Sequence, residues 1–510
     1  MHKPLLLMLV LMILADSALP AADGEHRVEP ASRQAQLTVE TGDRGHEITM
    51  VYPQDAFIQN GGAIIDITKE PYLAKGSGDP ADAEHNTKAF VKVYDFIMAE
   101  LDKYGDIEKE VTQPSSTNCS YMIYIPDGVY YVNDTLIYSG AIRKVTGTER
   151  EYCVWLRFIG QSREKTIIQL VDNCPGFADK ANPKPILSFG KKANVNPMKA
   201  NNAAKNLTIS AGAGNPGAIG VRWTSANNGE ANELLIKSSD GEGFVGYDFS
   251  MGGPCGHFRD IIVEGYDYGI RIGTHARYFY NPSIEYVTLR NQKQAGMLCE
   301  SGSGTFRKFK SKNSVPALKI TDAYTHAILL DSTFSGGDSS NAAIDIIDDG
   351  HGIGHIFARN VAVAGYGMGI RKNGEKAQDG SVDEYVSDPI LKSASDMPST
   401  SMNLPIEELP YVPWEQDLSK WVTAGKGDGT DDSEAIQQAM NDTSKSVFYF
   451  PKRSYKIASG EFPELGTGAK PKAQRMRSGE EFPELLTEQS QERLIPLYVS
   501  YRKAEGKPGD

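Results

Sequence analysis

Acidic side chains are concentrated in one short segment near the middle of the chain, DGEGFVGYDFS (240–250), which contains Asp240, Glu242 and Asp248. Glu285 follows on a later apolar run. Glycosidases use two carboxyl groups, separated by about 5–5.5 Å or about 6.5–9.5 Å according to stereochemistry. These four acids are the predicted catalytic residues. The alternative is structural, because Asp is common in turns and Glu is usually solvated.

Aromatic and arginine side chains are frequent around these acids. An exposed aromatic ring is a natural platform for a sugar ring, and arginine suits an anionic sugar. The predicted substrate-binding residues are therefore Trp223, Tyr247, Tyr266, Tyr268, Arg271 and Tyr278. The same rings could instead fill a narrow core, and the sequence does not decide between the two roles.

Two patterns could bind metal, and neither predicts a site. IDIIDDG (344–350) supplies three aspartates, but strand alternation puts Asp348 on the opposite face from Asp345 and Asp349, without EF-hand spacing. HGIGH (351–355) has histidines four residues apart, yet its glycines disfavour a helix and the Glu of HExxH is missing. A turn with surface histidines is favoured there. No metal or cofactor is predicted for a hydrolase. A Ca²⁺ ion is expected as a cofactor only if the protein is a uronate lyase.

Composition and the first residues bear on partners and location. The 510 residues carry a net charge of −13 and a pI of about 5.3, which disfavours nucleic acid as a partner. Five cysteines without CxxC spacing argue against zinc and against a disulfide-dense scaffold. A His/Lys pair, an apolar run over 5–14 and small residues before 22 predict a signal peptide, with a single membrane anchor as the alternative. We expect a secreted or periplasmic protein with no membrane segment in its mature form.

A long-range repeat indicates how the chain is organised. AKGSGDPADAEHNTKAFVKVYDFIMAEL (74–101), followed by IYIPDGVYYV (123–132), has a counterpart in TAGKGDGTDDSEAIQQAM (423–440) and FYFPKRSYKI (448–457). Each copy combines a Gly/Asp-rich turn, an amphipathic helix that Asn86 or Thr87 could cap in the first copy, and an aromatic strand with Pro-x-x-x-Tyr. Such a helix can shield the end of a solenoid, so the acidic turn is interpreted as a cap and not as a catalytic site.

Apolar runs recur between the two copies at intervals of roughly 21–29 residues, and turns rich in glycine separate them. The runs are NLTI (206–209), ELLIKS (233–238), FRDIIVEG (258–265), IEYVTLRN (284–291), FRKFKSKN (306–313), AILLDSTF (327–334) and IFARNVAVAG (356–365). One short strand per unit predicts coils of a parallel β-helix, with glycines at the coil corners. A β-sandwich or propeller is the alternative.

The second copy resembles the opening signature of the pectate-lyase superfamily of right-handed β-helices, most closely its rhamnogalacturonase/epimerase-like and glycoside hydrolase family 55-like members. Further matching segments include LRFIGQSREKTIIQL (156–170) and IIVEGYDYGIRI (261–272). The resemblance implies an all-β, right-handed, single-stranded parallel β-helix with a short N-terminal capping helix. Family 55 implies two β-helices side by side, whereas the second one here is expected to stop after its first strands, so no catalytic residue is carried over.

The sequence thus predicts an organisation and a ranked set of functions. The favoured function is a glycoside hydrolase acting on a β-glucan or pectin-like polysaccharide through paired carboxylates. The alternatives are a calcium-dependent uronate lyase and a non-catalytic carbohydrate-binding or surface structural β-helix. The predicted regions are a signal peptide (1–22), an N-terminal arm (23–47), a β-helix (48–374), a linker (375–413), an incomplete second β-helix repeat (414–457) and a polar, disordered tail (458–510).

Overall fold

The structure is a computed structural model. It describes residues 48–52, 64–103, 121–138, 142–145, 148–152, 156–190, 196–198, 202–251, 254–273, 282–348, 350, 352–390, 399–408, 414–451, 454–457 and 498–500. The predicted signal peptide, the arm up to residue 47 and Tyr278 lie outside these residues. Within them, no helix is both long and apolar enough to cross a membrane.

Two helices and 32 strands make up the described regular structure, apart from short 3₁₀ turns. The helices are α1 (Ala83–Lys103) and α2 (Ser433–Asn441). The strands up to the middle of the chain are β1 (Ile64–Asp66), β2 (Tyr121–Ile125), β3 (Gly128–Val132), β4 (Leu136–Ile137), β5 (Ile142–Val145), β6 (Thr148–Tyr152), β7 (Leu156–Gly160), β8 (Thr166–Leu170), β9 (Lys184–Ser188), β10 (Asn196–Met198), β11 (Ala203–Ser210), β12 (Ala218–Arg222), β13 (Ser225–Lys237), β14 (Val245–Phe249), β15 (Pro254–Glu264) and β16 (Tyr268–Ile272).

The second half of the chain continues the same pattern. Its strands are β17 (Pro282–Arg290), β18 (Ala295–Cys299), β19 (Gly302–Arg307), β20 (Lys310–Lys312), β21 (Leu318–Ile320), β22 (Thr325–Ser335), β23 (Ala342–Ile346), β24 (His355–Val363), β25 (Met368–Lys372), β26 (Glu375–Gln378), β27 (Val382–Val386), β28 (Trp421–Thr423), β29 (Asp428–Asp431), β30 (Val447–Tyr449), β31 (Ser454–Lys456) and β32 (Tyr498–Ser500).

Two long parallel sheets run the length of the β-helix. The chain visits them alternately. The first, sheet A, has the order β1-β2-β7-β11-β13-β15-β17-β19-β22-β24-β27, and the second, sheet B, has the order β4-β9-β12-β14-β16-β18-β21-β23-β25-β26. Because each strand pairs in parallel with its counterpart one coil later, and such crossovers are right-handed, the predicted right-handed parallel β-helix is confirmed.

The strands of sheet A bend at one position per coil. Seven residues there have φ between 48° and 58°, and none of them is glycine: Asn206, Glu233, Asp260, Tyr286, Lys308, Asp331 and Asn360. The parallel register skips each of these residues and resumes on its far side, so they stack along the axis. Asn and Asp tolerate the left-handed region, whereas Glu, Tyr and Lys adopt it at a cost that the paired strands must offset. Each long strand of sheet A therefore forms two arms of the coil.

Several glycines lie within sheet B rather than at the corners where the sequence led us to expect them. Gly220, Gly246, Gly269 and Gly296 occupy equivalent places in successive coils. A Cβ on Gly269 would lie 2.6 Å from the carbonyl oxygen of Gly296, and one on Gly246 would lie 2.9 Å from that of Gly269. Glycine is needed because adjacent coils approach too closely for a side chain.

The core is a single apolar column inside the coils. Phe158, Phe189, Trp223 and Phe258 are fully buried and make edge or tilted ring contacts from one coil to the next. The buried side of α1 (Phe90, Val93 and Ile97) covers the first coil, as an N-terminal cap must. At the other end, β26 and β27 pair antiparallel with β25 and β24, so strands continue past residue 374 into the predicted linker.

Both copies of the repeat fasten their glycine turn with a buried polar side chain. Asn86 accepts a hydrogen bond from Lys75 N (2.8 Å) and donates one to Lys75 O (3.0 Å). Asp432 accepts hydrogen bonds from Lys426 N (2.6 Å) and Gly427 N (3.2 Å). The expected capping role of Asn86 or Thr87 is corrected accordingly, because α1 already begins at Ala83. Asp432, at the N-cap of α2, likewise makes no side-chain capping hydrogen bond to that helix.

The second copy packs against the outside of the first coil. The Trp414 indole donates to the carbonyl oxygen of Val51 at 3.1 Å, and its ring meets that of Tyr52 with centroids 5.3 Å apart. Tyr52 also contacts Trp421 (6.4 Å) and Tyr124 of β2 (5.3 Å). These aromatic contacts hold the second copy at one side of the β-helix.

Candidate functional site

Sheet B places one column of mostly charged side chains on its outer face. Parallel register aligns Ser188, Arg222, Asp248, Arg271, Leu298, Lys319, Asp345 and Arg371 in successive coils. Their neighbours along the strands, such as Tyr247 and Phe249, belong to the core. The acids and bases of the column pair with one another: Arg222 lies 3.2 Å from Asp248, and Arg371 binds Asp345 through two nitrogens at 2.8 and 2.7 Å.

Asp248 is committed to this column. Its carboxylate is fully buried, takes the ion pair from Arg222 and accepts hydrogen bonds from the backbone and hydroxyl of Ser250 at 3.0 and 2.9 Å. A buried carboxylate that is already paired stabilises the turn after β14 and leaves no oxygen for a substrate. Its predicted catalytic role is not supported by this placement.

A second polar group lies beside the column, at the turns that lead from sheet A into sheet B. The Lys180 ammonium lies 2.7 Å from Asp267 Oδ2 and 3.9 Å from Glu242 Oε2. Lys293 forms a close ion pair with the other oxygen of Glu242. We name these four residues the Glu242–Asp267 site. The Lys180 nitrogen contacts one oxygen of each carboxylate. The separation between Glu242 Oε2 and Asp267 Oδ2 therefore cannot exceed the sum of their two distances from that nitrogen.

The two carboxylates of this site differ in their surroundings. The side chain of Asp267 is 11% exposed, and that of Glu242 is 39% exposed. Asp267 lies directly before β16, and Glu242 lies in the turn before β14, so adjacent coils bring them together. The upper limit set by Lys180 includes the separation of about 5–5.5 Å found in retaining glycosidases.

Aromatic and arginine side chains adjoin the site. The ring of Phe244 meets that of Tyr268 edge-on with centroids 6.0 Å apart, and the Arg271 guanidinium lies 6.0 Å from the Phe244 centroid. Arg271 also binds Glu300 at 2.5 Å. Tyr268 is partly buried, and burial raises the pKa of its phenol. A sugar ring here would meet an aromatic edge and a cation.

Asp240 has a structural role in the turn next to the site. Its carboxylate accepts hydrogen bonds from Gly214 N (2.7 Å), Ser238 Oγ (2.9 Å) and Glu242 N (2.9 Å). The backbone bond to Glu242 fixes where that side chain leaves the turn. Asp240 therefore positions the site, and the sequence-based interpretation as a turn aspartate describes it best.

Glu285 lies on sheet A, apart from the other predicted acids. It accepts a hydrogen bond from Arg307 Nε (2.8 Å) and lies 3.3 Å from His257 Nε2. Arg307 also binds Glu408 through two nitrogens at 2.6 and 2.9 Å. The hydrogen bond from His257, together with Arg307 and against the effect of burial, lowers the pKa of Glu285 to about 2. A carboxyl group held ionised in this way is unsuited to be a general acid.

Three predicted sugar platforms lie inside the coils. Trp223, Tyr247 and Tyr266 are fully buried, and their rings contact other core side chains. With no exposed face they cannot stack on a substrate, so the core alternative describes them. The reason is the narrow cross-section of the coil, which inward aromatic residues fill.

Three of the predicted site residues lie together in the structure: Glu242, Tyr268 and Arg271. Four residues that were not predicted lie beside them: Asp267, Lys180, Lys293 and Phe244. Asp267 was one of several loop acids in the sequence, with nothing to single it out. Lys180 belongs to an earlier turn, between β8 and β9. The described residues contain no group of three or more His, Cys, Asp or Glu side chains arranged to bind a metal.

The comparisons with known proteins agree with the fold. Residues 79–314 match the family described as rhamnogalacturonase A/epimerase, pectate lyase-like, so the resemblance inferred from the motifs is confirmed. No curated protein matches the chain.

Solved structures resemble the chain only distantly. The A-module of a mannuronan C-5 epimerase from Azotobacter vinelandii is 11% identical, over 61% of this chain and 98% of that one, with a TM-score of 0.26. A GH87 α-1,3-glucanase from Streptomyces thermodiastaticus is 12% identical, over 65% and 66%, with a TM-score of 0.32. A carrot pectin methylesterase is 12% identical, over 56% and 82%, with a TM-score of 0.27. Likenesses at this level identify no activity.

Proposed function

We propose that this protein is an exported glycoside hydrolase that cleaves a polysaccharide at the Glu242–Asp267 site. The observation that carries the proposal is the carboxylate pair bridged by Lys180, whose nitrogen lies 2.7 Å from one oxygen and 3.9 Å from the other. A pair held this closely fits a retaining mechanism. The N-terminal charged pair and apolar run support export.

The difference in exposure assigns the two roles. Asp267, less exposed and bound to Lys180 at 2.7 Å, acts as the nucleophile on the anomeric carbon. Glu242 is more exposed and lies farther from Lys180. Once a bound substrate separates it from Lys293, it carries a proton and donates it to the departing glycosidic oxygen. It then takes the proton of the water that releases the sugar from Asp267, so the carboxylates return to their starting states.

A second candidate is the uronate lyase reaction, favoured by the lysines beside the carboxylates. Lys180, Lys293 and Arg271 would neutralise the carboxylate of a uronate, which assists removal of the neighbouring proton. The two reactions leave different products. A hydrolase creates reducing ends alone, whereas a lyase also creates an unsaturated uronate that absorbs ultraviolet light.

The test is incubation with a panel of β-glucans and pectin-like glycans, with reducing ends and ultraviolet absorbance measured together. Glu242→Gln and Asp267→Asn should each lower the cleavage rate by about 100-fold or more, the usual effect of losing an acid–base group or nucleophile. Glu264→Gln is the matched control, because Glu264 pairs with Arg290 at the end of a sheet A strand. Cleavage that survives both site variants, or an absence of product from every glycan, would overturn the proposal.

A further inference from the structure

The outer face of sheet A contains a groove that the proposed active site does not use. It spans the last strands of the sheet and has a volume of about 310 Å³, near the lower end of the range for small-ligand sites. Its walls come from β19, β22, β24 and the segment that ends at Asp388. Because sheets A and B are different faces of the coil, this groove is separate from the turns that hold Glu242 and Asp267.

One side of the groove is polar and forms a column along the helix axis. Parallel register aligns Ser303, His326 and His355. The two imidazoles stack with centroids 4.8 Å apart and planes at 12°. His355 Nδ1 lies 2.7 Å from Asp388 Oδ1. This contact places the proton of the neutral ring on Nδ1 and leaves Nε2 as an acceptor.

The polar column is held rigidly. Ser387 Oγ donates to Asp388 Oδ2 at 2.8 Å and accepts a hydrogen bond from Ile356 N at 2.9 Å. The Lys372 ammonium donates to Ser387 O at 3.0 Å. Antiparallel pairing of β27 with β24 sets the position of this segment. A site whose polar groups are fixed before binding loses less entropy when a ligand arrives.

The other side of the groove is apolar and runs parallel to the first. Register aligns Thr305, Ile328, Phe357 and Val386 as the next outward column. Ile328 is 42% exposed and Val386 is 37% exposed, although both are large apolar residues on an outer face. Exposed apolar side chains gathered in a concave site mark a ligand surface more often than scattered ones do.

The pairing of a polar and an apolar column suits a sugar ring, which has a C–H face and an edge of hydroxyl groups. We infer that this groove is a second saccharide-binding site, which takes neutral sugar residues of a polysaccharide lying along the helix axis. The C–H face packs on Phe357, Ile328 and Val386, and the hydroxyls bond with His326, His355 and Asp388. A neutral sugar is favoured because Asp388 is an anion within the groove, which would repel an acidic one.

The site binds and does not cleave, so it adds affinity for a long chain that the active site alone lacks. The inference rests on the proposed function only for its choice of a polysaccharide as the ligand. It differs from that function in place and in effect.

The test is co-sedimentation with insoluble β-1,3-glucan, α-1,3-glucan and cellulose, together with a melting curve for each variant. Phe357→Ala should weaken binding to at least one glycan by about tenfold, a loss typical of removing an aromatic contact. Leu404→Ala is the matched control, because Leu404 is 63% exposed and does not line the groove. Ile328→Arg, at a position already exposed, should block the groove without disturbing the core.

The outcomes separate this inference from the proposed function. Loss of binding in Phe357→Ala and Ile328→Arg, with cleavage of a soluble oligosaccharide unchanged, supports the second site. Glu242→Gln should abolish cleavage and retain binding. Binding that persists in both groove variants, or a wild-type protein that binds none of the three glycans, overturns the inference even if cleavage is observed. Binding in the wild type, without cleavage of any glycan in the activity panel, would overturn the hydrolase proposal alone.

Discussion

The same hydrogen bond closes both copies of the repeated segment. Tyr130 Oη donates to Pro126 O at 2.9 Å in the first copy, and Tyr455 Oη donates to Pro451 O at 2.9 Å in the second. The strand pairing also corresponds, since β1 pairs in parallel with β2 as β28 does with β30. The local sequence therefore specifies the same turn, helix and strands twice.

What differs is how much structure covers each copy. In the first copy, Phe90, Val93 and Tyr130 belong to the continuous core of the β-helix. In the second, α2 buries only Ile436 and Ala439, within a small separate cluster. The motif therefore sets a local conformation, whereas its stability depends on the coils stacked against it.

Removing a core side chain from each helix should show the difference most strongly. Phe90→Ala should lower the free energy of unfolding by about 3–5 kcal/mol, because a fully buried ring leaves a cavity. Ile436→Ala should cost about 2 kcal/mol, because its surroundings can relax. Urea unfolding measures the Phe90→Ala effect in a background that keeps only Trp223, and the Ile436→Ala effect in one that keeps only Trp421. Equal effects on the two probes would remove the distinction.

Trp421→Ala should release the second copy from the β-helix while the coils stay folded. The Trp421 ring packs with Tyr449, Trp414 and Tyr52, and its indole donates to Glu415 O at 3.0 Å. Loss of a buried tryptophan costs about 3–5 kcal/mol, which here falls on the contact between the two copies. Limited proteolysis should cut near residue 414 in the variant and leave the β-helix whole. A β-helix that unfolds together with the second copy would contradict this expectation.

Acid should weaken the β-helix through Glu285. Its pKa is about 2 in the folded state against an ordinary value of 4.5, so its contribution to stability is complete above pH 4.5 and is lost as the pH falls through 2. Glu285→Gln should therefore be less stable than the wild type at pH 5 and nearly equal to it at pH 2. Urea unfolding at the two pH values, with the Trp223 signal, checks this. A constant difference between the proteins would show that the ion pair is not the cause.

The smallest effect concerns the shared tyrosine. Tyr130→Phe should cost about 1 kcal/mol, because the buried Tyr130 side chain loses its hydrogen bond to the carbonyl oxygen of Pro126. Tyr455→Phe should cost less, since Tyr455 is only partly buried and water can replace its hydroxyl. Melting temperatures of the two variants and of the double variant measure this. A larger loss for Tyr455→Phe would reverse the comparison.

Much of the fold was predictable because it depends on local periodicity. The seven apolar runs all coincide with strands of sheet A, and a helix forms in the second copy of the repeat as expected. The strands of sheet B escaped notice because glycines such as Gly246 interrupt their apolar pattern. Glycine is required at these positions because of the next coil. A Cβ on Gly246, for example, would lie 2.9 Å from the carbonyl oxygen of Gly269.

The candidate site was predictable in part. Glu242, Tyr268 and Arg271 stood out because acidic and aromatic residues cluster around them in the sequence. Asp267 and Lys180 could not be chosen, because their importance comes from adjacent turns of the coil. His355 was noticed in HGIGH, but its partners His326 and Asp388 belong to the preceding and the following strand segments of sheet A, far from it along the chain.

The sequence by itself determined the coil, since residue spacing and turn chemistry act over a few positions and repeat. Which acids meet, which rings are buried and which face carries a groove depend on how the coils stack. The physical reason is that stacking aligns residues from different coils at about 4.8 Å, a distance with no fixed counterpart along the chain. Asp248 and Glu242 illustrate this, although they are close neighbours in the same short segment. Asp248 is buried in an ion pair with Arg222, whereas Glu242 is partly exposed in the candidate active site.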